Sequence, residues 1–264
     1  MKKIELTLKT DNSDGGTEVL VIAEFAGRKY ECLLDTGAAI TTLAWDEYTS
    51  SLPVLGEDES AGAFGKSRDD LVETSGFRLG PIELERLIVA RLAKDQNARN
   101  LLGMDVLKDW MCSFRFSEAE VRVTQDRLEG GRQLYLGPRG HPYVDVNIGS
   151  SEVAAIWDTG AGLTCIDLAA IQSNPEYFEP AGNSVGTDSA GMSQSAPLFE
   201  VTGLSVGGVT FSPHIVVGFD LSLISSTAER RFDAILGMST LAQTNWCFDF
   251  PGKRWNVSRI ENVS

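Results

Sequence analysis

The chain contains itself twice, and this duplication restricts what it can fold into more than any other feature. Residues 18–43 (EVLVIAEFAGRKYECLLDTGAAITTL) align without a gap on residues 141–166 (HPYVDVNIGSSEVAAIWDTGAGLTCI) at an offset of 123. Residues 71–89 match 198–216 in pattern at an offset of 127, and residues 101–116 match 235–250 at an offset of 134. The blocks keep their order and the offset grows only by loop insertions. Two homologous units follow, 1–127 and 128–264, with the charged, Gly-Gly-ended stretch Asp126–Gly131 as their junction.

Within each unit the apolar residues recur with period two. Ile4, Leu6 and Leu8 alternate with polar residues, as do Val19 and Val21, and then Val144, Val146 and Ile148. That period puts alternate side chains on one face of a strand. Asp14-Gly15-Gly16, Ala26-Gly27-Arg28, Gly149-Ser150-Ser151 and Gly207-Gly208 fall between these runs at hairpin spacing. Helical signal is confined to Trp45–Ser51, Met104–Trp110 and Leu168–Ser173. The expected fold is all-β with a few short helices, and Leu134 and Leu136 restart in the second unit the alternation of Leu6 and Leu8.

Charge and residue usage narrow the chemistry. Lys and Arg number 23 against 37 Asp and Glu, a formal net charge of −14. Such a chain repels phosphate backbones, so neither nucleic acid nor an anionic membrane is expected as a partner, and the acidity reads as solubility. No apolar run approaches the roughly 18 residues of a membrane span. Glu5 and Lys9 interrupt any signal-peptide core after Met1-Lys2-Lys3, which points to a cytoplasmic protein with free thiols. Asn256 and Asn262 head N-x-S sequons that read as coincidence in such a chain. The four cysteines form no C-x-x-C pair, and Cys32, Cys165 and Cys247 sit in apolar surroundings as core thiols. With only His141 and His214 present, a multi-His metal site or a His-based triad has few residues to draw on. Carboxylates are left to run any chemistry, with no metal and no cofactor required.

Both units carry Asp-Thr-Gly after an apolar strand, Asp35-Thr36-Gly37 and Asp158-Thr159-Gly160. A lone tripeptide of this kind arises by luck in roughly one chain in twenty of this length, and it can be a capped turn and nothing more. Each copy is followed downstream by an apolar-apolar-Gly triplet, Leu101-Leu102-Gly103 and Ile235-Leu236-Gly237. Glycine there lets one strand pass close to the D-T-G backbone.

In this combination the sequence resembles the aspartic proteases over nearly its whole length. The short units, and Ala38 and Ala161 after each D-T-G, are similar to the retroviral type, whose active enzyme is a homodimer. The fusion of two units is similar to the pepsin type, which is longer, is secreted and carries Ser or Thr after D-T-G. The resemblance implies two homologous retropepsin-like lobes, each a closed β-barrel or sandwich, with an active-site cleft between them, in a monomer that hydrolyses an extended polypeptide. Asp35 and Asp158 would share one proton and activate a water, the behaviour expected of two carboxylates held a few ångströms apart. Thr36 and Thr159 would cross-link the two loops, and Gly37 and Gly160 would let the backbone approach the pair. Gly103 and Gly237 read as packing residues. A flap closing over substrate is also implied, within residues 59–70 and 186–196, with Gly62, Phe64, Gly65, Gly191 and Met192 as its contact candidates. The pepsin-type flap tyrosine has no counterpart in the first segment. The alternative is a two-lobed module that binds an extended peptide by strand addition without cutting it.

Overall fold

The computed structural model describes residues 2–12, 14–61, 66–94, 99–187 and 193–260. Alternation decides which faces are buried. In strand Thr17–Phe25, Val19, Val21, Ala23 and Phe25 point into the core while Ile22 is exposed. In Pro142–Ile148, Val144, Val146 and Ile148 do the same. The hairpin turns fall at the glycines expected, with Gly15, Gly27, Gly149, Gly207 and Gly208 all at positive φ.

Each unit builds its own curled, mostly antiparallel sheet. Among the described residues the first has eight strands and the second ten. In the first, strand Thr17–Phe25 also pairs with Lys66–Leu79 through Glu24 and Arg78, which bends the sheet toward closure. At its centre, Leu101–Leu102 lies between Arg28–Leu34, to which it is parallel, and Thr42–Leu43, to which it is antiparallel. The second unit repeats this with Ala234–Leu236 between Ser151–Trp157 and Thr164–Asp167.

A third sheet, of six strands, belongs to both units. Its central pair is Met111–Arg115 from the first and Thr244–Asp249 from the second, with Phe114 opposite Trp246 and Cys112 opposite Phe248. Strands Lys2–Glu5 and Arg132–Gln133 occupy its two edges. After each edge strand a buried leucine, Leu6 or Leu134, redirects the chain into its unit's own sheet. The alternation at Leu134 and Leu136 therefore spans two sheets, as it does at Ile4, Leu6 and Leu8. Above this sheet Trp157 packs on Phe114 at 4.6 Å and Phe248 at 4.7 Å between ring centroids. Fully burying such side chains contributes about 1.5–3 kcal/mol each, so the sheet joins the units by hydrophobic burial as well as hydrogen bonding.

The short helices differ in two respects from expectation: Met104–Trp110 is not one, and Ser222–Thr227 and Met238–Leu241 are helical where no signal is read. Glu47–Ser51 forms with Asp46 as a capping-box N-cap, and Leu168–Ser173 forms with Asp167 as its cap. Met104–Trp110 does not form a helix; a 3₁₀ turn covers only Met104–Val106. The equivalent segment of the second unit, Met238–Leu241, closes a short α-helix although Gly237 likewise offers no side-chain cap and strand Thr244–Asp249 follows within a few residues. The cysteines are all free; Cys32 and Cys112 are buried, whereas Cys165 and Cys247 sit partly exposed at the core margin rather than inside it. No helix among the described residues is long and apolar enough to cross a membrane.

Candidate active site

The strand pairing behind each D-T-G turn determines where its aspartate sits. Asp35 N–H donates to Leu102 O at 2.9 Å, and Asp158 N–H to Leu236 O at 3.0 Å. Met104 N–H and Met238 N–H donate to Ala38 O and Ala161 O, both at 2.8 Å. A Cβ on Gly103 would lie 2.8 Å from Ile40 C, and one on Gly237 would lie 2.3 Å from Leu163 O. Those neighbours are backbone and cannot yield, so the apolar-apolar-Gly triplets are glycine-terminated for close approach.

The two turns meet across the seam between units. Thr36 Oγ1 donates to Trp157 O at 2.9 Å, and Thr159 Oγ1 donates to Leu34 O at 2.6 Å. In return Thr36 N–H donates to Thr159 Oγ1 at 3.2 Å, and Thr159 N–H to Thr36 Oγ1 at 3.1 Å. Each hydroxyl thus gives and takes one bond from the opposite unit, and both threonines are fully buried. Removing a partner from such a network leaves buried donors and acceptors unsatisfied, at about 1–3 kcal/mol apiece. Thr159→Val is therefore expected to lower unfolding stability by about 2–4 kcal/mol; denaturant titration measures this, and a loss under about 0.5 kcal/mol would contradict the cross-link.

This grip brings the carboxyl groups of Asp35 and Asp158 into hydrogen-bonding contact. Asp158 Oδ1 accepts N–H bonds from Gly160 at 2.8 Å and from Gly37 at 3.1 Å, one from each unit. Burial, then the neighbouring Asp158 charge, holds the Asp35 carboxyl well above the ordinary aspartate range. Burial also raises Asp158, against the opposing pull of those amides and of His141. The pair titrates as a unit. Backbone N–H donors reach both carboxyls, Gly37 and Ala38 at Asp35 and Gly160 and Gly37 at Asp158, so the negative charge of the singly protonated pair is stabilised on either side.

Two hairpins reach out from the units, Val54–Ala61 with Lys66–Leu79 and Phe178–Thr187 with Ser193–Val201. They contain the segments 59–70 and 186–196 expected to supply a flap. The contact candidates Gly62, Phe64, Gly65, Gly191 and Met192 lie outside the described residues.

Two features near the site carry no motif. His141 Nδ1 lies 3.1 Å from Glu229 Oε2, and Glu229 also accepts from Arg139 N–H at 2.8 Å and Tyr143 OH at 3.3 Å. Ser184, on a strand of the second hairpin, donates to Asp14 Oδ2 of the first unit at 2.7 Å, so that hairpin is anchored to the opposite unit. Both contacts join residues more than 80 positions apart, which no local pattern reveals.

Residues 21–109 match the family described as "gag-polyprotein putative aspartyl protease", and residues 144–240 match the family described as "Aspartyl protease". No curated protein matches the chain. The two matches stand in tandem, each containing one D-T-G turn and one apolar-apolar-Gly triplet. With the curled sheets and the cross-linked turns, they make the chain a two-lobed member of the aspartic protease superfamily.

Proposed function

We propose that the protein is an aspartic endopeptidase in which Asp35 and Asp158 activate one water between them. The observation that carries this reading is the contact of two buried carboxyls across a reciprocal threonine cross-link. A merely structural turn has no need to bury like-charged groups together. The ionised member of the pair takes a proton from the water, whose oxygen attacks the peptide carbonyl carbon. The protonated member donates its proton to the carbonyl oxygen as charge develops there. The tetrahedral intermediate collapses as the proton taken from water passes to the leaving nitrogen and the C–N bond breaks, while the hydroxyl formed on the carbonyl oxygen returns its proton to the other carboxylate, which restores the pair's single proton. The sequence of steps needs neither a metal nor a covalent intermediate. Both aspartates come from one polypeptide, so a single copy suffices, and an extended polypeptide is the natural substrate for a cleft between two hairpins.

The purified protein is expected to hydrolyse an unstructured polypeptide, with chelators, thiol reagents and serine reagents without effect. Loss of activity on chelation would overturn the mechanism. Saturable peptide binding without cleavage at any pH would favour the peptide-binding module.

The pH dependence follows from the raised carboxyls. The native state holds the shared proton more tightly than the unfolded chain, so this contribution to stability is present in acid and is lost as pH rises through the raised values. Activity needs one proton on the pair, and raising both titrations moves that window upward from the usual aspartate value of about 3.9. Ala38 and Ala161 offer no hydroxyl to stabilise the ionised form. A bell-shaped rate profile with its maximum at about pH 5 to 6.5 is expected, and Ser at both alanines should shift its acid limb downward. An optimum below about pH 3.5 would contradict this argument.

A further inference from the structure

Behind each catalytic turn, the glycine of the apolar-apolar-Gly triplet opens a relay of hydroxyl groups, and the two relays end differently. In the first unit Gly103 N–H donates to Thr41 Oγ1 at 3.3 Å, and that hydroxyl donates to Asp105 Oδ1 at 2.8 Å. The other carboxylate oxygen accepts Thr41 N–H at 3.0 Å. In the second unit Gly237 N–H donates to Thr164 Oγ1 at 3.0 Å. The Thr164 and Thr240 hydroxyls are 2.6 Å apart, and Thr240 Oγ1 is 2.8 Å from His214 Nε2. His214 Nδ1 is 2.7 Å from Ser212 O. A carbonyl only accepts, so Nδ1 carries the hydrogen and the neutral ring accepts at Nε2. The Thr164 hydroxyl also faces Gly237 O at 3.2 Å, but Thr240 Oγ1 at 2.6 Å is the nearer acceptor, so the relay runs from Gly237 through Thr164 and Thr240 to His214. Ser239 Oγ accepts Thr164 N–H at 3.0 Å, as the second oxygen of Asp105 does for Thr41.

The differing residues exchange as a set. Leu87, Asp105 and Val106 of the first unit align on His214, Ser239 and Thr240 of the second, at the offsets of their blocks. The strand register agrees, with Thr74 opposite Leu87 and Val201 opposite His214. Leu87 is buried and offers the first unit no acceptor, and there the carboxylate of Asp105 supplies one.

Each relay bears on the aspartate of its own unit through one residue. Gly103 stands between Leu102, whose carbonyl holds Asp35 N–H, and Met104, whose N–H holds Ala38 O. Gly237 stands likewise between Leu236 and Met238. A shift of either glycine carries its D-T-G turn with it.

We propose that Asp105 and His214 are positioning residues, each the terminal acceptor of a hydroxyl relay that keeps its unit's aspartate in register with the other. This rests on the catalytic reading of Asp35 and Asp158. Displacement of a reacting group by about 1 Å can cost 100-fold in rate. Asp105→Ser alone is therefore expected to lower kcat on a polypeptide substrate about 100-fold, with KM within about threefold. Adding Val106→Thr and Leu87→His transplants the second unit's acceptor set and should restore kcat to within about tenfold of the unmodified chain. Asp105→Asn preserves size but turns one acceptor into a donor, and should lose kcat without unfolding. His214→Leu is the mirror experiment and should behave as Asp105→Ser does.

Amide hydrogen exchange gives a second readout that needs no catalysis. Faster exchange at Gly103 and Asp35 in Asp105→Ser, reversed in the triple variant, supports the relay even if the unmodified chain cuts no polypeptide, an outcome that would sink only the catalytic reading. Unchanged kcat together with unchanged exchange at Gly103 and Asp35 in both Asp105→Ser and Asp105→Asn would overturn the relay.

Discussion

Asp35→Asn and Asp158→Asn, made one at a time, are each expected to lower kcat by about 10³-fold or more, while the protein stays folded. The mechanism needs one carboxylate to accept a proton from water and one carboxylic acid to donate to the carbonyl oxygen. An amide at either position leaves the pair unable to pass between these states, whichever residue holds the proton. The effect on stability runs the other way. Burial raises both carboxyls, and the neighbouring Asp158 charge raises Asp35 further, so ionising them costs the native state free energy at neutral pH. Asn cannot ionise and keeps an oxygen to accept the backbone amides, Gly37 and Gly160 at position 158 and Gly37 and Ala38 at position 35. Thermal unfolding at pH 7 should therefore occur at the same or a higher temperature in either variant. Activity within tenfold of the unmodified chain would remove Asp35 and Asp158 from the chemistry. A fall in both activity and melting temperature would assign them to the fold instead.

Gly160→Ala and Gly37→Ala are the second pair with large expected effects. A Cβ on Gly160 would lie 2.4 Å from Asp35 Cγ, and one on Gly37 would lie 2.5 Å from Asp158 Oδ2. Side-chain atoms can move, but these carboxyls are buried against each other and against the crossed threonines. The added methyl must push one carboxyl away from its partner. A loss of about 10²–10³ in kcat is expected from the misplacement, with about 1–3 kcal/mol of destabilisation from overpacking. Gly56→Ala is the control, since its nearest neighbour would be a Leu71 methyl at 4.0 Å; it should leave kcat and stability nearly unchanged. Full activity in Gly160→Ala would mean that the carboxyls separate freely, and a shared proton would then be untenable.

Much of this architecture was legible in the chain. A duplicated block carries its fold with it, because two segments with the same apolar period bury the same faces. The D-T-G turns and their downstream glycines could be paired by order alone, and the close approach they were expected to serve is visible at Gly103 and Gly237. The capped helices Glu47–Ser51 and Leu168–Ser173 were readable because their N-cap bonds are local. Met104–Trp110 has the apolar residues of a helix yet closes only a turn, while Ser222–Thr227 and Met238–Leu241 are helices that no local signal announces, because neither of these two has a side-chain N-cap bond.

What the chain could not reveal is whatever depends on how the two copies face each other. The six-stranded sheet pairs Phe114 with Trp246 across units, and nothing local to either strand names its partner. The Asp14–Ser184 anchor and the His141–Glu229 contact join distant residues that no repeat aligns. The difference between Asp105 with Leu87 and Ser239, Thr240 with His214 was present in the alignment as scattered mismatches. Only the folded geometry turns those mismatches into two hydrogen-bond relays, because a hydroxyl's partner is set by distance and direction in space, whereas an apolar stripe needs only its period along the chain.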